Sequence, residues 1–214
     1  TSSGERIPMT DPRVTFLLPS MGKISSEALA AVFRSSGFNA IAHSPADESI
    51  LKLGRANTSC KECLPLILTT GTLLHYVNNG RRKDEILVYF MATAAGPCRF
   101  GQYYVFLENL IKKLGLPNVA VFSLTAENSY AGIGNGFHQK AWWGLVIADV
   151  MEDMRSMILA NAKDPKQGMR IFDQAWSLIL AALEKGEFSA LEKQLAQTAE
   201  QFAQIPMKRP LEEV

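Results

Sequence analysis

The stretch Ile86-Leu-Val-Tyr-Phe-Met91 is the clearest strand signal in this chain, because six apolar residues follow one another without interruption. A short, continuous apolar run of this kind predicts a strand that is covered on both faces, as in the middle of a parallel sheet. Parallel strands are joined by crossover segments, which are usually helices. The sequence on either side of residues 86–91 should therefore contain helices and further strands in alternation.

The beginning of the chain predicts one β-α-β unit. Residues 14–18 form a short apolar run that reads as a buried strand. A helix is expected to begin at Ser25 or Ser26, either of which can cap it, and to end near Ser36. Residues 38–42 then form a second short strand. Two strands joined by a helix imply parallel pairing with a right-handed crossover.

The middle of the chain continues the alternation. A polar stretch around Gly54 is followed by a helix-like run over residues 64–77. Beyond residues 86–91, a helix is expected over residues 102–114 and a fourth strand over residues 119–124. Repeated alternation of this kind is typical of a doubly wound α/β domain with a mostly parallel sheet of about four strands.

After residue 138 the apolar pattern changes to a helical period. Three apolar stripes at helical spacing occupy residues 142–158, 172–183 and 188–202. We therefore divide the chain into a linker over residues 1–12, an α/β domain over 13–137, a helical segment over 138–205 that packs on it, and a tail over 206–214. A glycine-rich loop lies just before this helical part, with Gly132, Gly134 and Gly136. It lacks the full spacing of a dinucleotide fingerprint, so we interpret it as a flexible loop over a functional site.

Composition excludes several classes of function. The chain has 214 residues, a formal net charge of +1 and no long basic run, so it lacks the footprint of a nucleic-acid-binding protein. No apolar stretch reaches the length of a membrane span, and the first residues do not resemble a signal peptide. Three cysteines do not suit a secreted disulfide framework, so a cytoplasmic location is expected.

The cysteines carry the chemical signal. Cys60 and Cys63 form a C-x-x-C pair, and Cys98 follows the strand at residues 86–91 through a Gly-Pro turn. Three thiolates without a fourth fit an iron–sulfur cluster with one open iron better than a closed zinc site. If the strands that precede the two motifs are neighbours, the sulfurs should meet at the carboxyl edge of the sheet, within about 7 Å of one another.

Other interpretations of the same residues stay open. A C-x-x-C pair also occurs in thioredoxin-like dithiols, although the Lys61-Glu62 spacer is unlike those pairs and Cys98 would then have no role. Free cysteines are often small buried hydrophobes. His43, His75 and His138 are isolated in the sequence and are interpreted as surface or core residues rather than metal ligands.

The two cysteine blocks resemble a known family. Gly54-Arg55, Cys60-Lys-Glu-Cys-Leu-Pro65, Thr70-Gly71 and Ala94-Ala-Gly-Pro-Cys-Arg-Phe-Gly-Gln-Tyr103 are similar to the 2-hydroxyacyl-CoA dehydratase and double-cubane cluster proteins. More narrowly, they resemble the cluster-carrying lobe of the long CoA-enzyme activase-related proteins of anaerobes. The resemblance covers about residues 12–130 well, and the helical part beyond is less diagnostic.

The resemblance implies an oxygen-sensitive 4Fe–4S cluster, or half of a double-cubane 8Fe–9S cluster, bound by Cys60, Cys63 and Cys98. It also implies a second α/β lobe and an ATP-dependent activator or reductase module as partners, and a small-molecule or acyl-CoA substrate. Only one such lobe is present in this sequence, so we expect an incomplete, surface-open site. The alternative is a non-catalytic domain that binds zinc or serves as a scaffold and docks a partner through its helical segment.

Overall fold

The computed structural model describes residues 1–125, 133 and 136–209. Four strands carry the sheet: β1 (Val14–Leu18), β2 (Ala40–Ala42), β3 (Ile86–Phe90) and β4 (Val119–Phe122). The helices are α1 (Lys23–Ser35), α2 (Glu48–Ala56), α3 (Leu64–Asn79), α4 (Tyr103–Leu114), α5 (Phe137–Asn161), α6 (Pro165–Lys185) and α7 (Phe188–Ala203). A short 3₁₀ turn, Arg99–Gln102, precedes α4.

The four strands form one parallel sheet in the order β2-β1-β3-β4. Phe16 of β1 lies opposite Ala40 of β2 on one side and Val88 of β3 on the other, and Val88 lies opposite Ala120 of β4. The apolar run that begins at Ile86 therefore lies inside the sheet. The predicted doubly wound α/β class with about four parallel strands is confirmed.

The condition for the sulfurs to meet from adjacent strands is not met, because β2 and β3 are not neighbours. The central strand β1 lies between them, since the chain crosses from β1 to β2 on one side and β3 adds to the other side of β1. The strand order thus reverses between β1 and β3. In open α/β sheets this switch point leaves a crevice outside the carboxyl ends of the strands, where ligands bind.

Each face of the sheet has its own hydrophobic core. On one face Phe16, Leu18 and Phe90 pack with Phe33 of α1 and with residues of α5, α6 and α7. On the other face Leu17, Leu87, Tyr89 and Met91 pack with α3 and α4. Alternate residues of β1 thus contribute to opposite cores, as the two-residue period of a strand requires.

Helix α2, which the sequence pattern does not predict, occupies part of the polar stretch around Gly54. Asp47 caps it by accepting a hydrogen bond from the Ile50 amide at 2.9 Å. The helix is only nine residues long and contains Gly54, so its intrinsic helical signal is weak. Its stability comes from packing against α3.

Two glycines allow α2 and α3 to pack closely against each other. A Cβ atom on Gly54 would overlap the carbonyl oxygen of Ile67 in α3, and one on Gly71 would overlap the carbonyl oxygen of Ile50 in α2. The two backbones therefore lie closer together than any larger residue at these positions would allow. The loop that joins α2 to α3 carries Cys60 and Cys63, so this contact fixes both ends of that loop.

The helices beyond residue 136 form a layer over α1, and the predicted helical segment is confirmed. Trp176 of α6 donates an indole hydrogen bond to the Glu27 carboxylate of α1 at 2.7 Å. In the described residues of this part of the chain, the only β pairing is a single antiparallel bridge between Ala162 and Met207. Of the predicted glycine-rich loop, Gly132 and Gly134 lie outside the described residues.

Candidate metal centre at the cysteine loops

The Cys60–Cys63 pair lies in the short connection between α2 and α3. Cys63 has an extended backbone at φ −72° and ψ 150° and is the N-cap residue of α3, with Pro65 in the first turn. Proline suits this position because the first helical amides have no partner within the helix. Cys60 is exposed to solvent, whereas Cys63 is half-buried.

Cys98 lies at the end of the loop that follows β3. It directly precedes the 3₁₀ turn Arg99–Gln102, which leads into α4. The loop is folded back on itself, because the Thr93 hydroxyl donates a hydrogen bond to the carbonyl oxygen of Gly101 at 3.0 Å. A Cβ atom on Gly101 would come within 2.6 Å of the Ala94 carbonyl oxygen, so the closure needs glycine. Cys98 itself is exposed.

The two cysteine loops contact each other through Arg99. Its guanidinium donates a hydrogen bond to the carbonyl oxygen of Lys61 at 3.1 Å and lies 3.7 Å from the Glu62 carboxylate. Lys61 and Glu62 are the two residues between Cys60 and Cys63. The arginine that follows Cys98 therefore holds the Cys98 loop against the C-x-x-C turn, although the parent strands are not neighbours.

Tyr103, the first residue of α4, contacts the C-x-x-C turn through Cys63. Its hydroxyl lies 2.6 Å from the Cys63 sulfur, and its side chain is almost fully buried. Burial raises the pKa of Tyr103 well above its usual value, and the hydrogen bond with Cys63 and charge interactions with Cys63 and Cys98 add to this shift. Tyr103 is therefore a neutral hydroxyl, able to donate a hydrogen bond to sulfur, across the whole physiological pH range.

The thiols are not drawn together into a formed metal site. In the part of the chain that the structure describes, no group of three His, Cys, Asp or Glu side chains is arranged to hold a metal ion. All three cysteines are free thiols. Their chemical type suits an iron–sulfur cluster, and they lie on two loops that contact each other, but the predicted 7 Å separation stays a prediction.

A cavity of about 430 Å³ lies beside Cys98, at the carboxyl ends of β3 and β4. Most of its lining residues belong to the loop after β3, and the others lie at the start of α4 and just after β4. It is lined by Thr93, Ala94, Ala95, Gly96, Pro97, Cys98, Arg99, Gly101, Gln102, Tyr104 and Thr125. Cys98 is thus an exposed residue at the edge of a cavity that can take a small molecule.

Sequence reasoning missed two residues of this site and one contact elsewhere in the fold. Arg99 and Tyr103 belong to the motif on which the family resemblance rests, so their position in that motif was the available signal. The other contact is between His43 and His75, whose rings meet edge to face with centroids 5.7 Å apart. His43 follows β2 and His75 lies in α3, so only the tertiary structure brings these histidines together.

Comparison with protein-family models, with curated proteins and with solved structures finds no match for this chain. None of the helices in the described ranges is both long enough and apolar enough to cross a membrane.

Proposed function

We propose that this chain is the iron–sulfur cluster-binding lobe of an ATP-coupled low-potential reductase or 2-hydroxyacyl-CoA dehydratase-like protein. Cys60, Cys63 and Cys98 would hold a 4Fe–4S cluster or half of a double-cubane 8Fe–9S cluster. The observation that carries the proposal is the contact between the two cysteine loops through Arg99. Two sequence-distant thiol loops joined in this way form one potential donor set.

The surrounding residues have roles that suit such a cluster. The cluster itself, when bound, would supply one-electron transfer at low potential. Tyr103 would donate a hydrogen bond to the Cys63 sulfur and hold that side chain in place. Arg99 would offset part of the negative charge of the thiolates. The cavity beside Cys98 supports an open coordination position that external ligands can reach.

The partners follow from the same proposal. An open position and exposed thiols require cover, which a second α/β lobe would provide. Electrons would come from an ATP-dependent activator or reductase module, and the substrate would be a small molecule or an acyl-CoA thioester. A cytoplasmic, anaerobic setting suits exposed thiols and an oxygen-sensitive cluster.

Anaerobic reconstitution with iron and sulfide tests the proposal. The chain should gain the broad visible absorption of an iron–sulfur cluster, with matching iron and sulfide contents. Cys60→Ala, Cys63→Ala and Cys98→Ala should each lose most of the bound iron, whereas Ser177→Ala, at an exposed position of α6, should not. If Cys98→Ala binds iron as well as the parent chain does, the proposed ligand set is wrong. Purification with zinc and no uptake of iron would favour the scaffold alternative.

Tyr103→Phe tests separately whether the hydrogen bond to Cys63 affects the proposed cluster. The variant keeps the ring in the core and removes only the hydroxyl that contacts Cys63. Because a hydrogen bond to a ligand sulfur stabilises the more negative, reduced cluster, its loss should make the reduction potential more negative at unchanged iron content. Tyr104→Phe, at the next residue of α4, is the control, since among the described residues only the Tyr103 hydroxyl hydrogen bonds with a cysteine. Equal potentials in the two variants would remove Tyr103 from this role.

A further inference from the structure

The helical layer contains an open groove between α5 and α7. Helix α6 packs against both helices and separates them, so their facing sides do not close on each other. The space between them is about 390 Å³. It is lined, apart from one threonine, by apolar side chains, which are Val146, Ile147, Val150, Met151, Met154, Leu195, Thr198, Ala199 and Phe202.

The groove has closed ends and an open side. At one end the rings of Trp143 and Phe188 contact each other, with centroids 4.8 Å apart. At the other end the Asn161 side chain at the end of α5 hydrogen bonds with the backbone of Arg209, beyond α7. Between these ties the apolar stripe of α5 faces outward, with Val146 and Val150 about half exposed. An apolar stripe on a helix is usually buried against a partner, and the described residues leave this one without a full partner.

The rim of the groove, defined here as Asp149 and Asp153 on α5 and Glu192 on α7, is acidic. On α5, Asp149 and Asp153 each lie three residues after a groove-lining valine, and on α7 Glu192 lies three residues before Leu195, so helical spacing puts all three beside the groove. All three are exposed. Among the described residues, no ion pair involves any of them.

We propose that this groove binds one amphipathic helix of a partner protein, with an apolar stripe flanked by lysine or arginine. The lining on α5 runs from Val146 to Met154, which at 1.5 Å per residue is about 12 Å, or about two helical turns. This length suits apolar anchors at positions i, i+4 and i+7 of the bound helix. Met151 and Met154 give the floor an adaptable surface, and the acidic rim selects basic flanks.

The test uses two synthetic helical peptides and the intact chain. Both peptides carry leucine at i, i+4 and i+7, and one has lysine on its flanks where the other has glutamate. Calorimetry should detect binding of the lysine peptide, weakening as salt is added, and at least about tenfold weaker binding of the glutamate peptide. Equal binding of the two peptides, or no binding of the lysine peptide, would overturn the proposal.

Variants locate the binding and separate it from self-association. Val150→Asp should weaken binding of the lysine peptide by about tenfold or more, because it puts a charge on the apolar stripe. Leu178→Asp, at a half-exposed position of α6 that does not line the groove, should leave the affinity unchanged. Asp149→Lys combined with Asp153→Lys should reverse the preference between the peptides. If the chain instead forms a dimer that Val150→Asp dissociates, a second copy is the occupant and the proposal is wrong.

Discussion

The α2–α3 pair and the α5–α7 layer are both helical, but they pack in opposite ways. Between α2 and α3 there is no room for a methyl group at Gly54 or Gly71. Between α5 and α7 there is a groove of about 390 Å³ lined by large side chains. The tight pair holds the loop of Cys60 and Cys63, and the open layer has no thiol. Close packing is thus found beside the proposed metal ligands, and open packing at the proposed docking groove.

Gly71→Ala should have the largest effect on stability. The new methyl group meets the Ile50 carbonyl oxygen, a backbone atom that cannot rotate away, so the helices must separate. We expect a loss of about 3 kcal/mol in the free energy of unfolding, measured by denaturant titration.

Gly144→Ala is the matched control for that prediction, because it is also a glycine inside a helix. Its Cβ atom would lie 3.2 Å from a side-chain methyl of Val32, a much milder overlap than the one with backbone at Gly71. The gain in helix propensity, about 1 kcal/mol, should offset this contact. If Gly144→Ala destabilises the chain as much as Gly71→Ala does, the contrast between the two regions does not hold.

Trp176→Phe should have the next largest effect on stability, because it removes a hydrogen bond between the helical layer and α1. The indole of Trp176 is buried and donates to the Glu27 carboxylate. Losing a hydrogen bond to a charged group should cost about 1.5–3 kcal/mol in thermal or denaturant unfolding. Glu27→Gln keeps an oxygen acceptor and should cost less. A larger loss of unfolding free energy for Glu27→Gln than for Trp176→Phe would show that this hydrogen bond is not the main stabilising contact between the layer and α1.

Asp47→Asn should produce a smaller and pH-dependent effect on α2. Hydrogen bonds from Ser49 and from the Ile50 amide, with a contribution from the charge of His75, hold the pKa of Asp47 below its usual value. A carboxylate with a lowered pKa stabilises the folded state above its unfolded pKa, and this contribution is lost as the pH falls through the folded value. The difference in stability between parent and variant should therefore be present at neutral pH and vanish in acid. A difference that stays constant with pH would mean that the charge has no part in capping.

Ala199→Leu should have the smallest effect, although it adds a large side chain. The groove beside Ala199 is open, so the new side chain can enter it without displacing the backbone. The free energy of unfolding should change by no more than about 0.5 kcal/mol. A loss comparable to that of Gly71→Ala would show that the groove closes in solution.

The strands were predictable because each is a short apolar run between turn residues, and β3 is the clearest case. The order of β1 between β2 and β3 was not, since it depends on which side of β1 each crossover takes. Helix α2 was missed because the glycine that weakens its propensity is the residue that allows its packing on α3. The cysteines of the candidate site were visible in the sequence. The roles of Arg99 and Tyr103 were not, because they arise from long-range contacts.

The glycine contact between α2 and α3 also has a consequence for motion. Helix α2 is too short to be stable alone, so it can form only while it lies on α3. Helix α3 also packs in the sheet core through Leu66 and Leu73, so α2 can open without it, and the amides of α2 should exchange with deuterium faster than those of α3. The turn with Cys60 and Cys63 follows α2, and it would be released when α2 opens. The lifetime of the α2–α3 contact would then limit how fast the proposed metal could enter or leave.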